Sequence, residues 1–431
     1  MIGKIKFVFS SLLILFLIFS ESYGGDEVIK NITKNRITIL FKETEGKGII
    51  AGTIFIKGGS IEDPEGKKGL TALTMRLLIK GSKNFSSYDI NKVFEDSGGY
   101  ISTSTSEEYT TIEFALRTKD LKKGLKIIKD FIYYPTFPKE QLELEKGNLI
   151  ASIKARKEEG FSYGFDELRK LMYKGTPYQY LPAGTIDNIK NITIEDIKNR
   201  WRELLEGSRW VVSFVGDIPY KNVEEAIKNT FADIPSNTVY QYPTYHYKIE
   251  GDFCKTVKRE GAQSTILVAY NAPSVKENYY FSMKVLNGIL GSGFTSRLFQ
   301  ELREKRGLAY AVGSIYPTRL NMGRVIAYIG TAPQNTDVAL EGIKEVISSI
   351  KNGISEDEIK TAKEKIVGGF LLDHQTRAKQ SWYLGWFETI GLGYEMDKKY
   401  TDNIMKVKER DILEAWNKYL SDGNVCVKVI P

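Results

Sequence analysis

Residues 69 to 82 carry much of the information about this chain, and they read Gly-Leu-Thr-Ala-Leu-Thr-Met-Arg-Leu-Leu-Ile-Lys-Gly-Ser. The run is mostly apolar and lies between two glycines. Of its side chains, alanine has no donor atom, methionine is a poor zinc ligand, and arginine is a permanent cation that repels metals. We therefore expect no metal at this stretch.

The same stretch resembles the zinc helix of the insulinase-like (M16, inverted HxxEH) metallopeptidases, which reads Gly-Leu-x-His-x-x-Glu-His-x-x-x-x-Gly-[Thr/Ser]. The glycines and leucines match, but the first histidine falls on Ala72, the general base on Met75 and the second histidine on Arg76. The family's third zinc ligand, a glutamate on a later helix, falls on Ser152. The resemblance implies that all four positions of the zinc site are lost, so that this chain holds no metal.

A second match covers residues 291 to 310, Gly-Ser-Gly-Phe-Thr-Ser-Arg-Leu-Phe-Gln-Glu-Leu-Arg-Glu-Lys-Arg-Gly-Leu-Ala-Tyr. It resembles the C-terminal signature of the same family, in which an arginine and a tyrosine contact substrate and stabilise the transition state at a distant zinc. Those positions are Arg303 and Tyr310 here. A guanidinium can pair with a peptide carbonyl, and a phenol can donate to an oxyanion. Without the resemblance, the stretch predicts an amphipathic helix with Leu298, Phe299 and Leu302 buried.

A third match covers residues 98 to 110, Gly-Gly-Tyr-Ile-Ser-Thr-Ser-Thr-Ser-Glu-Glu-Tyr-Thr. It resembles the family's edge strand, which receives an extended peptide by strand addition. The resemblance implies substrate contacts from Ser102, Thr103 and Thr105, although Ser102 and Thr103 replace the family's usual Asn-Ala pair. The alternative is a polar edge strand whose hydroxyls and charges protect it from aggregation.

The rest of the chain repeats one order of elements. A strand, a helix, a proline-containing loop and a second helix follow one another from residue 111. The order strand, helix, helix recurs from residue 324, at an offset of about 217 residues. Such self-similarity indicates one supersecondary unit used twice. We predict an α+β fold of two similar halves, each a mainly antiparallel sheet backed by helices. The halves are residues 25–235 and 252–431, joined by a linker at 236–251 that is rich in Tyr, Pro and Thr.

The N-terminus has the pattern of a secretory signal. Lys4 and Lys6 precede an apolar run from residue 7 to 19, and Ser-Tyr-Gly follows at residues 22–24. The run is short for a membrane span, and small residues lie before the expected cleavage site. We predict a signal peptide at residues 1–24, export to the periplasm or the extracellular space, and no stable membrane span after cleavage. A retained anchor is the alternative.

Composition limits the function classes. The 431 residues include 61 Lys and Arg against 54 Asp and Glu, and the net charge of +7 is spread along the chain. No basic block is dense enough to predict a nucleic-acid partner. Cys254 and Cys426 are either a disulfide, which export permits, or two unpaired thiols. His246 and His374 have no partner at metal spacing, so a histidine-based zinc site cannot be built from this chain alone.

Family members of this size commonly work as pairs, in which one subunit carries the zinc helix and the other the arginine–tyrosine signature. The resemblance therefore predicts a non-catalytic subunit of an exported heteromeric zinc peptidase, with a peptide as substrate and zinc in the partner subunit. The competing reading is a peptide-binding pseudo-enzyme or scaffold without proteolysis. A metal site built from carboxylates such as Glu107, Glu108 or Glu145 is a third class, which their spacing does not support.

Overall fold

A computed structural model describes residues 27–431 as two β-sheets with helices packed on them. The expected signal peptide at residues 1–24 lies outside the described residues. Within the part of the chain that the structure describes, no helix is long and apolar enough to cross a membrane. The strands are β1 (Val28–Ile32), β2 (Thr38–Glu43), β3 (Ile49–Lys57), β4 (Tyr100–Thr105), β5 (Tyr109–Arg117), β6 (Trp210–Gly216), β7 (Phe253–Lys258), β8 (Ser264–Ala272), β9 (Ala311–Ile315), β10 (Gly323–Thr331) and β11 (Val425–Ile430).

The helices fall into two similar series, one in each half. In the first half they are α1 (Leu70–Leu78), α2 (Ser87–Asp96), α3 (Leu121–Tyr133), α4 (Lys139–Glu158), α5 (Gly160–Met172), α6 (Ile186–Lys190), α7 (Ile194–Leu204) and α8 (Glu224–Phe231). In the second half they are α9 (Tyr280–Gly291), α10 (Thr336–Ser348), α11 (Glu356–Asp373), α12 (Arg377–Thr389), α13 (Met396–Lys406) and α14 (Glu409–Tyr419).

The two sheets share one strand order. The first runs β1-β2-β6-β3-β5-β4 and the second β7-β11-β8-β10-β9, so the second repeats the first without β1. The pairs β2–β6 and β7–β11 are parallel, and the remaining pairs are antiparallel. The predicted α+β fold of two similar halves is therefore confirmed. Strands β6 and β8 are buried along their whole length, as expected for strands covered on both faces.

Each half contributes one helix to the sheet of the other half. Helix α5 packs on the second sheet and α12 on the first. Both crossings use a glycine: a Cβ added at Gly164 would lie 2.5 Å from Leu267, and one at Gly385 would lie 2.6 Å from the Ser213 hydroxyl. Ser213 Oγ also donates to the Ser381 carbonyl of α12 at 2.6 Å. Glycine allows this close approach of a helix to a sheet because it has no side chain.

Residues 236–251 have no regular secondary structure between α8 and β7, and they contact both halves. Tyr240 donates to Glu62 Oε1 of the first half at 2.5 Å. The Ile249 amide donates to Asn271 Oδ1 of the second half at 3.0 Å, and Asn271 Nδ2 returns a bond to the Ile249 carbonyl at 2.9 Å. The segment is therefore hydrogen-bonded to both halves rather than loose between them.

The two cysteines form a disulfide. Cys254 of β7 and Cys426 of β11 lie opposite each other in the parallel pair, with Cα atoms 4.4 Å apart. Sequence alone left a disulfide and two free thiols equally open, because only the fold shows that the two runs are neighbouring strands.

The signature helix differs from the sequence prediction. Residues Phe299–Lys305 form a π-helical segment instead of an α-helix. Leu298 and Leu302 are buried as predicted, but Phe299 is only half-buried. The wider helical turn shifts the direction of successive side chains, so the 3.6-residue period used for the prediction does not apply along this segment.

Candidate functional site

Asp63 fixes the start of α1, the helix that carries three of the four altered positions. Gly69 precedes the helix in a left-handed conformation with φ of 103°, which glycine adopts without strain. Asp63 accepts hydrogen bonds from the Gly69 amide at 2.9 Å, the Thr71 amide at 2.9 Å and the Thr71 hydroxyl at 2.5 Å. Burial raises the pKa of Asp63 and outweighs the hydrogen bond from Thr71. The helix frame is thus preserved although its chemical residues have changed.

The four altered positions do not form a site that fits zinc. Ala72 and Met75 are buried among apolar neighbours. The Arg76 side chain is 44% exposed and its Nη1 lies 3.0 Å from Glu145 Oε2. Ser152 is exposed on α4, where its hydroxyl donates to the Leu149 carbonyl at 2.8 Å. A methyl group, a thioether, a guanidinium and a distant hydroxyl do not make the donor set of a zinc centre.

An ion-pair cluster of Arg76, Lys80 and Glu145 lies at the position of the second lost histidine. Lys80 Nζ is 3.0 Å from Glu145 Oε1, while Arg76 holds the other carboxylate oxygen. Burial would raise the pKa of Glu145, but the hydrogen bonds from Lys80 and Arg76 outweigh it, and the pKa is lowered. Glu145 is therefore ionised at neutral pH and holds two cations together.

The other two carboxylates considered for a metal site, Glu107 and Glu108, bind residues of both halves. Glu107 Oε1 contacts Arg169 Nη1 at 2.8 Å and Arg319 Nη2 at 2.9 Å. Glu108 Oε1 accepts from the Tyr178 hydroxyl and from the Leu320 amide, both at 2.6 Å. Among residues 27–431, no group of three or more His, Cys, Asp or Glu side chains could hold a metal ion.

Strand β4, which contains Ser102, Thr103 and Thr105, forms one edge of the first sheet. The Thr103 hydroxyl donates to the Met75 carbonyl at 2.9 Å, so the middle of β4 is fixed beside α1. Ser102 is exposed, and Thr105 is half-buried. The Ser106 amide donates to the Tyr109 carbonyl at 2.9 Å. Since hydrogen-bonded and non-bonded pairs alternate, residues 101, 103 and 105 turn their main-chain groups away from β5.

Arg303 and Tyr310 lie together at the edge of the second sheet. Arg303 Nη1 donates to the Tyr310 carbonyl at 3.2 Å, and its guanidinium carbon lies 5.1 Å from the centre of the Phe299 ring. The Tyr310 amide donates to the Gly330 carbonyl of β10 at 2.8 Å. Tyr310 is 62% exposed, and Arg303 is exposed as well. The chain turns at Gly307, where φ is 62°. Both residues are therefore open to solvent, and the Arg303 guanidinium contacts the main chain of Tyr310.

Sequence reasoning missed the role of Lys80 and Glu145, although a signal existed. Glu145 precedes Ser152 by seven residues, about two helical turns, which puts both on one face of α4. Lys80 follows Arg76 by four residues but lies just past the end of α1. The approach of α1 to α4, which brings the charges together, is visible only in the fold.

Comparison with protein families agrees with this architecture. Residues 38–185 match the family described as Insulinase (Peptidase family M16), and residues 191–366 match the one described as Peptidase M16 inactive domain. The chain belongs to peptidase family M16.

Two relatives in Helicobacter pylori (strain ATCC 700392 / 26695) have contrasting descriptions. The chain is 26% identical over 372 residues to the "Non-peptidase homolog YmxG", covering 83% of each protein. It is 23% identical over 337 residues to the "Zinc protease PqqE", covering 77% of this chain and 75% of that protein.

Solved structures share the fold. The crystal structure of the peptidase M16 inactive domain from Pseudomonas fluorescens has a TM-score of 0.87 at 22% identity and covers 94% of this chain and 98% of that one. The periplasmic protease PqqL from Escherichia coli has a TM-score of 0.80 at 15% identity, with 94% of this chain and 46% of that one covered.

Proposed function

We propose that this protein is a non-catalytic subunit of an exported, heteromeric M16 zinc peptidase. It binds the peptide substrate and supplies Arg303 and Tyr310 to a zinc centre carried by a homologous partner subunit. The observation that carries the proposal is a contrast between two places in one chain. The zinc positions have lost every donor, and Arg76 is bound to Glu145. Arg303 and Tyr310 remain exposed, and the Arg303 guanidinium contacts the main chain of Tyr310.

The chemistry of these two residues suits amide hydrolysis. A guanidinium can bind a peptide carbonyl through two N–H groups, and a phenol can donate to the oxygen that becomes anionic in the transition state. Zinc bound by the partner would polarise that carbonyl and activate the attacking water. The edge of β4, with its main-chain groups at residues 101, 103 and 105, would hold the substrate in extended form. Ser102, Thr103 and Thr105 would then contact its side chains.

The relatives support a division of labour between two subunits. One organism contains both a protein described as a non-peptidase homologue and one described as a zinc protease, and both are similar to this chain. Export is supported by the signal pattern at residues 1–24. It is also supported by likeness to PqqL, which is described as periplasmic.

The test is co-expression with an M16 homologue from the same genome that retains the complete zinc motif. We expect the two chains to co-purify, with one zinc per pair by elemental analysis and peptidase activity that requires both. This chain purified alone should hold no stoichiometric zinc and cleave no peptide. Failure of the chains to associate, or full activity of the zinc-bearing chain alone, would overturn the proposal. Association without any effect on activity would favour the scaffold alternative.

A further inference from the structure

The cluster of Arg76, Lys80 and Glu145 carries a net positive charge that has no part in the proposed subunit role. Each cation holds one oxygen of the same carboxylate at 3.0 Å. Because two cations face one carboxylate, the cluster keeps one positive charge. Glu145 is buried, whereas the Arg76 side chain is 44% exposed, so the surplus charge is open to solvent.

The two cations retain donors for a second anion. Arginine carries five N–H groups and the lysine ammonium carries three. Glu145 uses one group from Arg76 and one from Lys80. The planar guanidinium fits a carboxylate better than a spherical anion, because two parallel N–H groups can meet its two oxygens. The ligand chemistry that best matches the cluster is therefore a carboxylate.

The edge of β4 lies beside α1, the helix that carries Arg76. The Thr103 hydroxyl donates to the carbonyl of Met75, which directly precedes Arg76. The main-chain groups of residues 101, 103 and 105 face outward from the sheet. An extended peptide added to this edge pairs through its own main chain, and such a peptide would run beside the helix that carries Arg76.

We propose that Arg76 and Lys80 bind the C-terminal carboxylate of a peptide that adds to β4. The position that holds zinc in active family members would thus bind the C-terminus of a peptide, whereas a zinc centre cleaves an internal peptide bond. A peptide whose C-terminus lies at this cluster would be a cleavage product. This site requires neither a metal nor the partner subunit, so it can be tested apart from the proposed function.

The experiment measures peptide binding by the full chain, purified from an exporting host without a partner. The probe is a fluorescein-labelled pool of random decapeptides, prepared with either a free carboxylate or an amide at the C-terminus. Fluorescence anisotropy should show binding of the free-carboxylate pool that is about tenfold tighter, as expected for one charge-assisted pair. Arg76→Gln should remove this preference without weakening the amide pool. The control Arg410→Gln, at an 80% exposed cation, should change neither.

A second variant keeps the test decisive. If Arg76→Gln does not fold, as judged by circular dichroism, Lys80→Gln should show the same loss of preference. Equal binding of the two pools by the unmodified chain would overturn the proposal. So would a preference that survives in a folded Arg76→Gln or Lys80→Gln chain, or no measurable binding of either pool. Each of these results leaves the activity of the two-subunit peptidase as a separate question.

Discussion

At the scale of single residues, Arg303 and Tyr310 give the sharpest prediction about activity. In the proposed role, each of these residues makes one hydrogen bond in the transition state, so Arg303→Ala and Tyr310→Phe should each lower kcat/KM of the reconstituted pair by about 10- to 1,000-fold. Folding and assembly should not change, since Arg303 and the Tyr310 side chain are exposed.

Lys305 provides the matched control for Arg303. It lies in the same π-helical segment with a side chain 64% exposed, paired to Glu301. Lys305→Ala should leave both activity and assembly as they are, because exposed ion pairs contribute little. Assembly is measured by size-exclusion chromatography and activity by peptide cleavage. Full activity in both Arg303→Ala and Tyr310→Phe would mean that the signature is a structural remnant.

The sequence gives candidates for the site residues but not their surroundings. Arg303, Tyr310 and the lost zinc positions were identified from the resemblance to family motifs, and their roles stay predictions. Glu145 as the counterion of Arg76 was not identified, because 69 residues separate the two. A pairing over that distance depends on how α1 meets α4, and periodicity within either helix carries no information about it.

At the scale of elements, the crossing of α12 over the first sheet depends on Gly385. A Cβ there would lie 2.6 Å from Ser213 Oγ and 2.7 Å from the Phe55 ring. Gly385→Ala should therefore lower the free energy of unfolding by about 1–3 kcal/mol, the usual cost of overpacking. The measurement is urea denaturation followed by circular dichroism.

Gly368 offers the matched control in a neighbouring helix. A Cβ at Gly368 in α11 meets nothing within 4 Å. Gly368→Ala should be neutral or stabilising by up to about 1 kcal/mol, because alanine is the better helix former. If Gly385→Ala and Gly368→Ala had the same free energy of unfolding, α12 would not approach the first sheet as closely as described above.

The strands were easier to predict than the pairing of helices with sheets. Residues 49–57 and 264–272 carry many β-branched and aromatic side chains, and they form β3 and β8. Runs of β-branched side chains signal a strand directly. The packing of α5 and α12 on the sheet of the opposite half has no such signal in the sequence. An amphipathic helix shows only that one face is buried and not which sheet buries it.

At the scale of the whole molecule, buried ion pairs connect the hairpin of β4 and β5 to the second half. Glu107 of that hairpin is held by Arg169 and Arg319, and Glu108 accepts from the Leu320 amide. Burial opposes ionisation of Glu107, but Arg319 and Arg169 outweigh it and lower its pKa to about 2. The position of the edge strand β4 therefore depends on the second half.

Removal of Arg319 should weaken this connection strongly. Arg319→Met leaves Glu107 buried with one cation fewer, and breaking a buried ion pair from one side costs about 3–5 kcal/mol. The control Arg306→Met removes a surface pair with Glu345, which should cost less than about 1 kcal/mol. Urea denaturation at pH 7 measures both. If the two variants had equal free energies of unfolding, the contact between the halves would not depend on the Arg319 charge.

The helix exchange also constrains when the protein can become native during its synthesis. The last strand of the first sheet to be made is β6, yet Ser213 on that strand bonds to Ser381, 168 residues further along the chain. Until α12 is made, one face of the first sheet has no cover, and the apolar side chains of Phe55 and Val211 lack the helix that buries them. Almost the whole chain must therefore be made before its first half can close. A chaperone that shields this face in the nascent chain would bind residues that are buried in the folded protein.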